Sequence, residues 1–157
     1  TVLKLLWSGG VVEQAILTIP QRYPSLAGVV PLALQIVNHQ APRPEMVQLL
    51  QDLHQAGYTL LILSNIGTQS LAVLQQRHPT LFRLFQGVIG ASASDGYQHK
   101  PQAAVWAKFY AQFGGLKPHY LLIDDKSANL QAAAAAGFLT WRFTGVANLR
   151  ARLLTSQ

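Results

Sequence analysis

The 157-residue sequence contains no cysteine, only six acidic residues, and no apolar run of the ~20 residues that a membrane-spanning helix needs. The absence of cysteine excludes disulfide bonds and thiolate metal sites. It is compatible with a reducing compartment, and no secretory signal is visible at the start. We therefore expect a cytoplasmic location and no membrane partner.

Charged residues are also scarce, because they make up 11% of the chain, against roughly 25% in typical globular domains. This shortage predicts an apolar face that is covered by a partner or by a further piece of the same protein, and a homodimer is one such assembly. The net charge is +6, but the lysines and arginines are scattered along the chain. We therefore do not expect a nucleic acid as a partner.

Residues 1–40 have a mostly helical pattern without a clear strand. Glu13–Ile19 is predicted as a short helix that ends at Pro20, and Leu26–Val37 is a second apolar stretch. Ala41–Pro44 has the sequence A-P-R-P, which is stiff because each proline disfavours the helical conformation in the residue before it. We place a domain boundary at this connector, between residues 1–41 and 42–157.

After the connector, helical and strand patterns alternate regularly. Apolar residues at helical spacing predict a helix from Pro44 to about Gly57. Four strands are predicted, at Tyr58–Leu63, Gly87–Ile89, Tyr120–Ile123 and Leu139–Phe143. The remaining helices are predicted at Thr68–Arg77, Pro101–Phe113, Ser127–Ala136 and Val146–Leu154. This alternation predicts an α/β fold, a doubly wound parallel Rossmann-like sheet with helices on both faces.

Polar side chains follow three of the predicted strands. Ser64-Asn65 comes after the first, a loop with Lys100 follows the second, and Asp124-Asp125 follows the third, with Asn129 one helical turn further on. Ligands bind beyond the carboxyl ends of the strands in such sheets, so we expect these residues on one rim. Two adjacent carboxylates at a buried strand end need a compensating cation, and their oxygens are ligands that Mg²⁺ prefers.

Three stretches, in this order, resemble the haloacid dehalogenase superfamily: L-L-I-L-S-N at Leu60–Asn65, H-K-P at His99–Pro101, and L-L-I-D-D-K-S-A-N-L at Leu121–Leu130. The D-D-x-x-x-N form is similar to the capped branch with the N-terminal phosphatase domain of epoxide hydrolases and small sugar-phosphate phosphatases. Dehalogenases proper tend to have serine at the acidic pair and need no metal. The resemblance implies a core over residues 42–157 and a partial helical cap over 1–41.

The resemblance also implies roles for the site residues and a small phosphorylated substrate. Ser64 would hydrogen-bond a phosphoryl oxygen with help from Asn65. Lys100 would neutralise charge on the nucleophile and on the transferring phosphoryl group. The loop before it, G-Y-Q-H-K-P, is one residue longer than the family's usual G-x-x-K-P. A Mg²⁺ site would be built by Asp125, with Asp124 beside it and Asn129 supporting the loop.

The aspartate that starts the family's reaction is absent from these 157 residues. It attacks phosphorus to form an aspartyl-phosphate, and it stands in a D-x-D or D-x-G motif. None of the six acidic residues fits that motif: Glu13, Glu45, Asp52, Asp95, Asp124 and Asp125. The resemblance therefore implies phosphoric monoester hydrolysis for the family, but we predict that this polypeptide alone is inactive.

Two explanations for the missing aspartate stay open. In the first, Trp7–Glu13 resembles the W/F-x-x-G-x-I-S-x-E stretch of helical caps, and the nucleophile strand lies upstream. In the second, Val2–Val12 is the nucleophile strand with Trp7 in place of the aspartate, and the protein is an inactive domain that binds phosphate and metal. The spacing favours the first. A metal-independent haloacid dehalogenase is a third hypothesis, which Asp124-Asp125 disfavours.

The first explanation has a consequence for the sheet. In this family the nucleophile strand lies between the strand that ends at Leu63 and the strand that ends at Ile123. Without it, backbone groups on both neighbours would lose their partners. We expect marginal stability, or a non-native pairing of the two strands, and the exchange of the Leu61 and Leu122 amides would test this.

Overall fold

The computed structural model describes residues 11–114 and 120–154. The chain divides into two compact units, the first formed by residues 1–42 and 61–99 and the second by 43–60 and 100–157. The predictions made for Trp7 and for residues 2–10 lie outside the described residues. The assignment of residues 1–41 to a cap remains a prediction, and the described part of this segment is helical.

The described elements alternate between helices and strands from residue 44 onward. In chain order they are α1 (Val12–Leu17), α2 (Ile19–Arg22), a 3₁₀ turn (Pro24–Val29), α3 (Val30–Asn38), α4 (Pro44–Gln55), β1 (Leu60–Gly67), α5 (Thr68–Arg77), α6 (Pro79–Phe82), β2 (Phe85–Ala91), a 3₁₀ turn (Ala93–Asp95), α7 (Ala103–Phe113), β3 (Leu121–Asp124), α8 (Ser127–Ala135), β4 (Leu139–Arg142) and α9 (Val146–Leu154). The α/β class predicted from the sequence is confirmed. None of the helices within the described ranges is both long and apolar enough to cross a bilayer.

Several boundaries differ from the predicted ones. The strand predicted to end at Leu63 continues to Gly67, so Ser64-Asn65 lies within β1 and not after it. Its residues are half-buried up to Ile66, whereas the apolar run predicted a strand buried on both faces. The helix predicted to open at Pro101 begins at Ala103 instead. Gln102, the residue before it, is non-helical, with φ of −58° and ψ of 139°.

Pro20 marks another difference between pattern and structure. The pattern predicted that it would end a helix over Glu13–Ile19, but α1 ends at Leu17. Pro20 instead lies in the first turn of α2. A proline is well suited to that place, since its missing N–H would have no partner within the helix.

The strands form two sheets of two strands each within the described residues. β1 pairs with β2, and β3 pairs with β4. The second pair is parallel, with Leu121 opposite Leu139 and Asp124 opposite Arg142. Each strand thus has one edge without a strand partner in the described part of the chain.

The hydrogen bonds of β3 identify the amides that report on its open edge. The Tyr120 carbonyl accepts from the Leu139 amide, and the Asp124 carbonyl accepts from the Phe143 amide, both at 2.9 Å. Since peptide groups alternate sides along a strand, Leu122 also faces β4, while Leu121 and Ile123 face the other edge. The Leu122 amide would therefore be protected from exchange whether or not another strand covers the open edge of β3.

We expect the amides of Leu121 and Ile123 to exchange with solvent faster than that of Leu122, because only the latter points towards β4. Hydrogen exchange followed by NMR on the monomer measures all three in one sample. Equal, strong protection at Leu121 and Ile123 would show that a further strand covers this edge.

Apolar side chains hold the second unit together in two groups. Leu49, Leu53 and Leu149 form a buried cluster between α4 and α9, and Ile123 and Trp141 of the sheet pack against it. The second group is aromatic and joins α7 to residues that flank the two strands: Trp106, Phe109, Tyr110, Phe113, Tyr120 and Phe138. The aromatic group thus packs at the amino ends of β3 and β4, and the leucine cluster packs further along the two strands.

Candidate functional site

A buried ion pair lies at the carboxyl end of β3. Asp124 is the last residue of the strand and is 8% exposed, and Lys100, in the loop before α7, is 9% exposed. The Lys100 Nζ atom donates to Asp124 Oδ2 at 2.6 Å. Lysine and aspartate are almost never this buried unless they are paired. The burial of each side chain therefore depends on the other.

The Asp124 carboxylate also joins the strand to the helix that follows it. Its Oδ1 atom accepts from the Lys126 backbone amide at 2.8 Å. The Asn129 side-chain amide, buried in the first turn of α8, lies 3.0 Å from both carboxylate oxygens. A carboxylate has about four acceptor sites, so protein donors fill nearly all of those on Asp124.

These donors keep Asp124 ionised. Burial by itself would raise the pKa of the Asp124 carboxyl, but other interactions outweigh it: the hydrogen bond from Lys100, the backbone hydrogen bond from Lys126, the positive charge of Lys100, and the hydrogen bond from Asn129. Together they hold the pKa below its ordinary value of 3.8. At neutral pH the site therefore contains a carboxylate and an ammonium in direct contact.

The neighbouring carboxylate, Asp125, is exposed. No three His, Cys, Asp or Glu side chains within residues 11–114 and 120–154 gather closely enough to hold a metal ion. Mg²⁺, however, usually keeps several waters and takes only one or two protein carboxylates together with substrate phosphate oxygens. The residues fit such an ion, because Asp125 offers an exposed carboxylate next to Asp124, whose charge Lys100 already balances.

Ser64 and Asn65 lie in the other unit, near the end of β1. The Ser64 Oγ atom accepts from the Ile66 backbone amide at 3.1 Å, which shapes the last turn of chain before α5. Both side chains are half-buried. Lys100, Asp124 and Asn129 are thus brought together within one unit, whereas the convergence of Ser64 and Asn65 with them remains a proposal.

The loop that leads to Lys100 has an unusual backbone at Tyr97. Gly96 and Tyr97 are both left-handed, with φ of 69° and 57°, and a non-glycine residue rarely adopts this conformation. The Tyr97 amide donates to the Ser92 carbonyl at 2.7 Å, and the Tyr97 carbonyl lies 2.7 Å from His99 Nδ1. Tight local bonds thus shape the longer G-Y-Q-H-K-P loop immediately before Lys100.

Among the buried polar residues that sequence reasoning missed is Glu13. It is 2% exposed, and its Oε2 atom accepts from the Ser70 backbone amide at 2.8 Å. The available signal was its position three residues before Ile16, which is also fully buried, since residues three apart share a face of a helix. A glutamate on the apolar face of a short helix predicts a buried partner.

The comparison with protein families agrees with this geometry. The model of the haloacid dehalogenase-like hydrolase family matches residues 9–137, which include every predicted site residue. Over 101 residues the chain is 33% identical to a phosphoglycolate phosphatase of Aliivibrio fischeri, with 64% of this chain and 43% of that protein covered. The chain therefore spans less than half the length of this relative.

Solved structures show the same fold. An L-2-haloacid dehalogenase from Xanthobacter autotrophicus, with chloropropionic acid covalently bound, superposes with a TM-score of 0.67 at 20% identity, covering 99% of this chain and 65% of that one. A predicted phosphoglycolate phosphatase from Haemophilus somnus 129pt superposes with a TM-score of 0.67 at 18% identity, covering 91% and 69%. The Rossmann-like α/β fold is thereby confirmed, and the chain belongs to the haloacid dehalogenase-like hydrolase family.

Proposed function

We propose that the protein is a Mg²⁺-dependent phosphatase that acts on a small phosphorylated metabolite. In this proposal the 157 residues carry the charge-neutralising and metal-binding side of the active site, without the nucleophilic aspartate. The observation that carries it is the buried network of Lys100, Asp124 and Asn129 beside the exposed carboxylate of Asp125.

Lys100 has the position and charge that phosphoryl transfer needs. Its ammonium is buried and is held by Asp124, so it is oriented before any substrate binds. A fixed cation in a water-poor site stabilises the negative charge that develops on phosphoryl oxygens more strongly than a mobile surface lysine would. Ser64 would add a hydrogen bond to the same group, with Asn65 beside it.

Asp125 would hold the metal ion, and Asp124 and Asn129 would keep the strand–helix turn in shape around it. When bound, Mg²⁺ would supply positive charge for the phosphoryl oxygens. The acidic pair favours this phosphatase over a metal-independent dehalogenase, because carboxylate oxygens are ligands that Mg²⁺ prefers and dehalogenases proper tend to have serine there. The similarity to a phosphoglycolate phosphatase also supports phosphate chemistry.

The other parts of the proposal concern the setting of the protein. We propose a cytoplasmic location, a helical cap that includes residues 1–41, and no membrane or nucleic-acid partner. A homodimer would cover an apolar surface that the low content of charge predicts. The alternative is a catalytically inactive domain that keeps the phosphate and metal pocket, favoured by the absence of a D-x-D or D-x-G motif in these 157 residues.

We expect that this chain alone will not hydrolyse p-nitrophenyl phosphate but will bind inorganic phosphate in the presence of Mg²⁺. Ser64→Ala, which removes no buried charge, should weaken phosphate binding by about tenfold, the usual effect of losing one hydrogen bond to a charged group. Asp125→Asn should abolish the dependence of that binding on Mg²⁺. Isothermal titration calorimetry measures both effects.

The matched control is Lys108→Met on α7, which should leave phosphate binding unchanged, while Lys100→Met should weaken it by at least about tenfold in protein that circular dichroism shows to be folded. Robust hydrolysis that Asp125→Asn abolishes would contradict our account of the missing nucleophile. Phosphate binding that is indifferent to Ser64, Lys100 and Asp125 would remove the proposed site.

A further inference from the structure

The buried carboxylate of Glu13 acts as a helix cap supplied by a distant part of the chain. α5 begins at Thr68, and its N-cap residue, Gly67, has no side chain that could accept from the first amides of the helix. Glu13, 57 residues before Ser70 in the sequence, accepts from the Ser70 amide instead. A negative charge at the amino end of a helix also interacts favourably with the helix dipole.

Gly67 permits this contact. A Cβ atom at residue 67 would overlap the Glu13 carboxylate, although the backbone there, with φ of −65° and ψ of 150°, suits any residue. The glycine is therefore required by the close approach of Glu13 and not by backbone strain. Gly90 of β2 also approaches this segment closely, because a Cβ atom on it would lie only 2.9 Å from the Ile66 carbonyl oxygen.

These contacts confine the carboxyl end of β1, which contains the proposed phosphate-binding residues. Ser64 and Asn65 lie three and two residues before Gly67 on the same strand, and the Ser64 hydroxyl accepts from the Ile66 amide within it. The far end of α5 is also anchored, because Arg77 Nη1 donates to the Asn38 carbonyl at 2.8 Å. Glu13 thus fixes the end of α5 that adjoins the site.

Glu13 also influences the loop that leads to Lys100. Burial, and then the nearby negative charge of Glu13, raises the pKa of Tyr97. Tyr97 is the left-handed residue whose carbonyl contacts His99. The charge of Glu13 therefore also acts on the loop after β2, in addition to its bond at the start of α5.

We propose that Glu13 is a positioning residue, whose bond to the Ser70 amide across Gly67 holds Ser64 and Asn65, at the end of β1, in the conformation that binds the phosphoryl group. This proposal rests on the proposed function, because it concerns the shape of the same phosphate pocket. Glu13 itself does not touch the substrate. Its loss should therefore weaken phosphate binding through Ser64 and Asn65 even when α5 remains capped.

The test separates positioning from simple helix stabilisation with two variants. Glu13→Ala removes the carboxylate, and we expect it to lower Tm by about 2–8 °C, as the loss of a helix cap does. The double variant Glu13→Ala/Gly67→Ser gives α5 a local N-cap in the space that the carboxylate vacates, and it should recover most of that Tm. Glu45→Ala, at an exposed glutamate in the first turn of α4, is the matched control: it should leave phosphate affinity unchanged and lower Tm by less than Glu13→Ala, because it removes only an exposed interaction with the helix dipole.

Phosphate affinity decides the outcome. We expect Glu13→Ala to raise the dissociation constant for inorganic phosphate, with Mg²⁺ present, by at least about tenfold, since a small misplacement of binding groups has effects of this size or more. The double variant should bind phosphate as weakly as Glu13→Ala does, because its local cap does not link the end of β1 to α1. If affinity returns together with Tm in the double variant, Glu13 is only a helix cap and the proposal is wrong.

A second readout distinguishes this proposal from the proposed function. The Ser64 and Asn65 amide resonances of the protein without ligand should shift in Glu13→Ala and stay shifted in the double variant. If wild-type protein binds no phosphate, the proposed function fails, while these resonances still test the role of Glu13. Resonances that are unchanged in Glu13→Ala would overturn the positioning role, whether or not phosphate binds.

Discussion

Asp124→Ala is expected to lower the free energy of unfolding by about 3–5 kcal/mol, the range found when one partner of a buried ion pair is removed. Lys100 is nearly as buried as Asp124, so its ammonium would lose its counter-charge without gaining water. The Asn129 amide and the Lys126 backbone amide would lose their acceptor as well. Urea denaturation followed by circular dichroism measures the change.

Asp125→Ala is the matched control for this prediction, because it removes the same chemical group from the next residue. Asp125 is exposed, and a surface substitution of this kind usually changes stability by no more than about 0.5 kcal/mol. The pair Lys100→Met/Asp124→Leu should recover only part of the loss, since apolar side chains can replace a buried ion pair while the Asn129 and Lys126 amides still lack an acceptor. Equal losses in the two aspartate variants would contradict the buried pair.

The pH dependence of the same variant follows from the lowered pKa of Asp124. A carboxyl whose pKa is lower in the folded protein stabilises the fold above its unfolded pKa, and this contribution is lost as the pH falls through the folded value. The difference in stability between wild type and Asp124→Ala should therefore be constant near neutrality and should shrink below about pH 4. Denaturation at a series of pH values measures it.

Phe109→Ala should destabilise the second unit by a similar amount, about 3–5 kcal/mol, as large-to-small changes at buried aromatic residues do. Phe109 is 3% exposed, and its ring centroid lies 4.9 Å from that of Tyr120 and 5.0 Å from that of Phe138. These two residues flank β3 and β4, so the ring seats α7 against the sheet. Thermal unfolding measures the loss.

Gln112→Ala on the exposed face of the same helix is the control, and it should change stability by no more than about 0.5 kcal/mol. Because α7 follows Lys100 in the chain, loosening it should also reduce the phosphate binding that we propose for this site. A Phe109→Ala protein as stable as Gln112→Ala would show that α7 is held by something other than the aromatic group.

Local patterns in the sequence were sufficient for most elements. Thr68–Arg77 and Val146–Leu154 are helices with the bounds that apolar spacing predicts, because an amphipathic repeat depends on neighbours three and four residues apart. Bounds were less well predicted where a polar residue continues an element. β1 runs through Ser64 to Gly67, since extended backbone does not stop where apolar side chains stop.

The sequence by itself determined the α/β class, the family, and which residues follow the predicted strands, since these depend on the order of residue types along the chain. Only the tertiary structure decided which carboxylate of the acidic pair is buried. Asp124, the last residue of β3, meets Lys100, 24 residues away, whereas Asp125 lies beyond the strand and is exposed, because the fold brings the loop before α7 to the end of β3. Glu13 and Ser70, 57 residues apart, likewise meet only because the fold brings α1 to the start of α5.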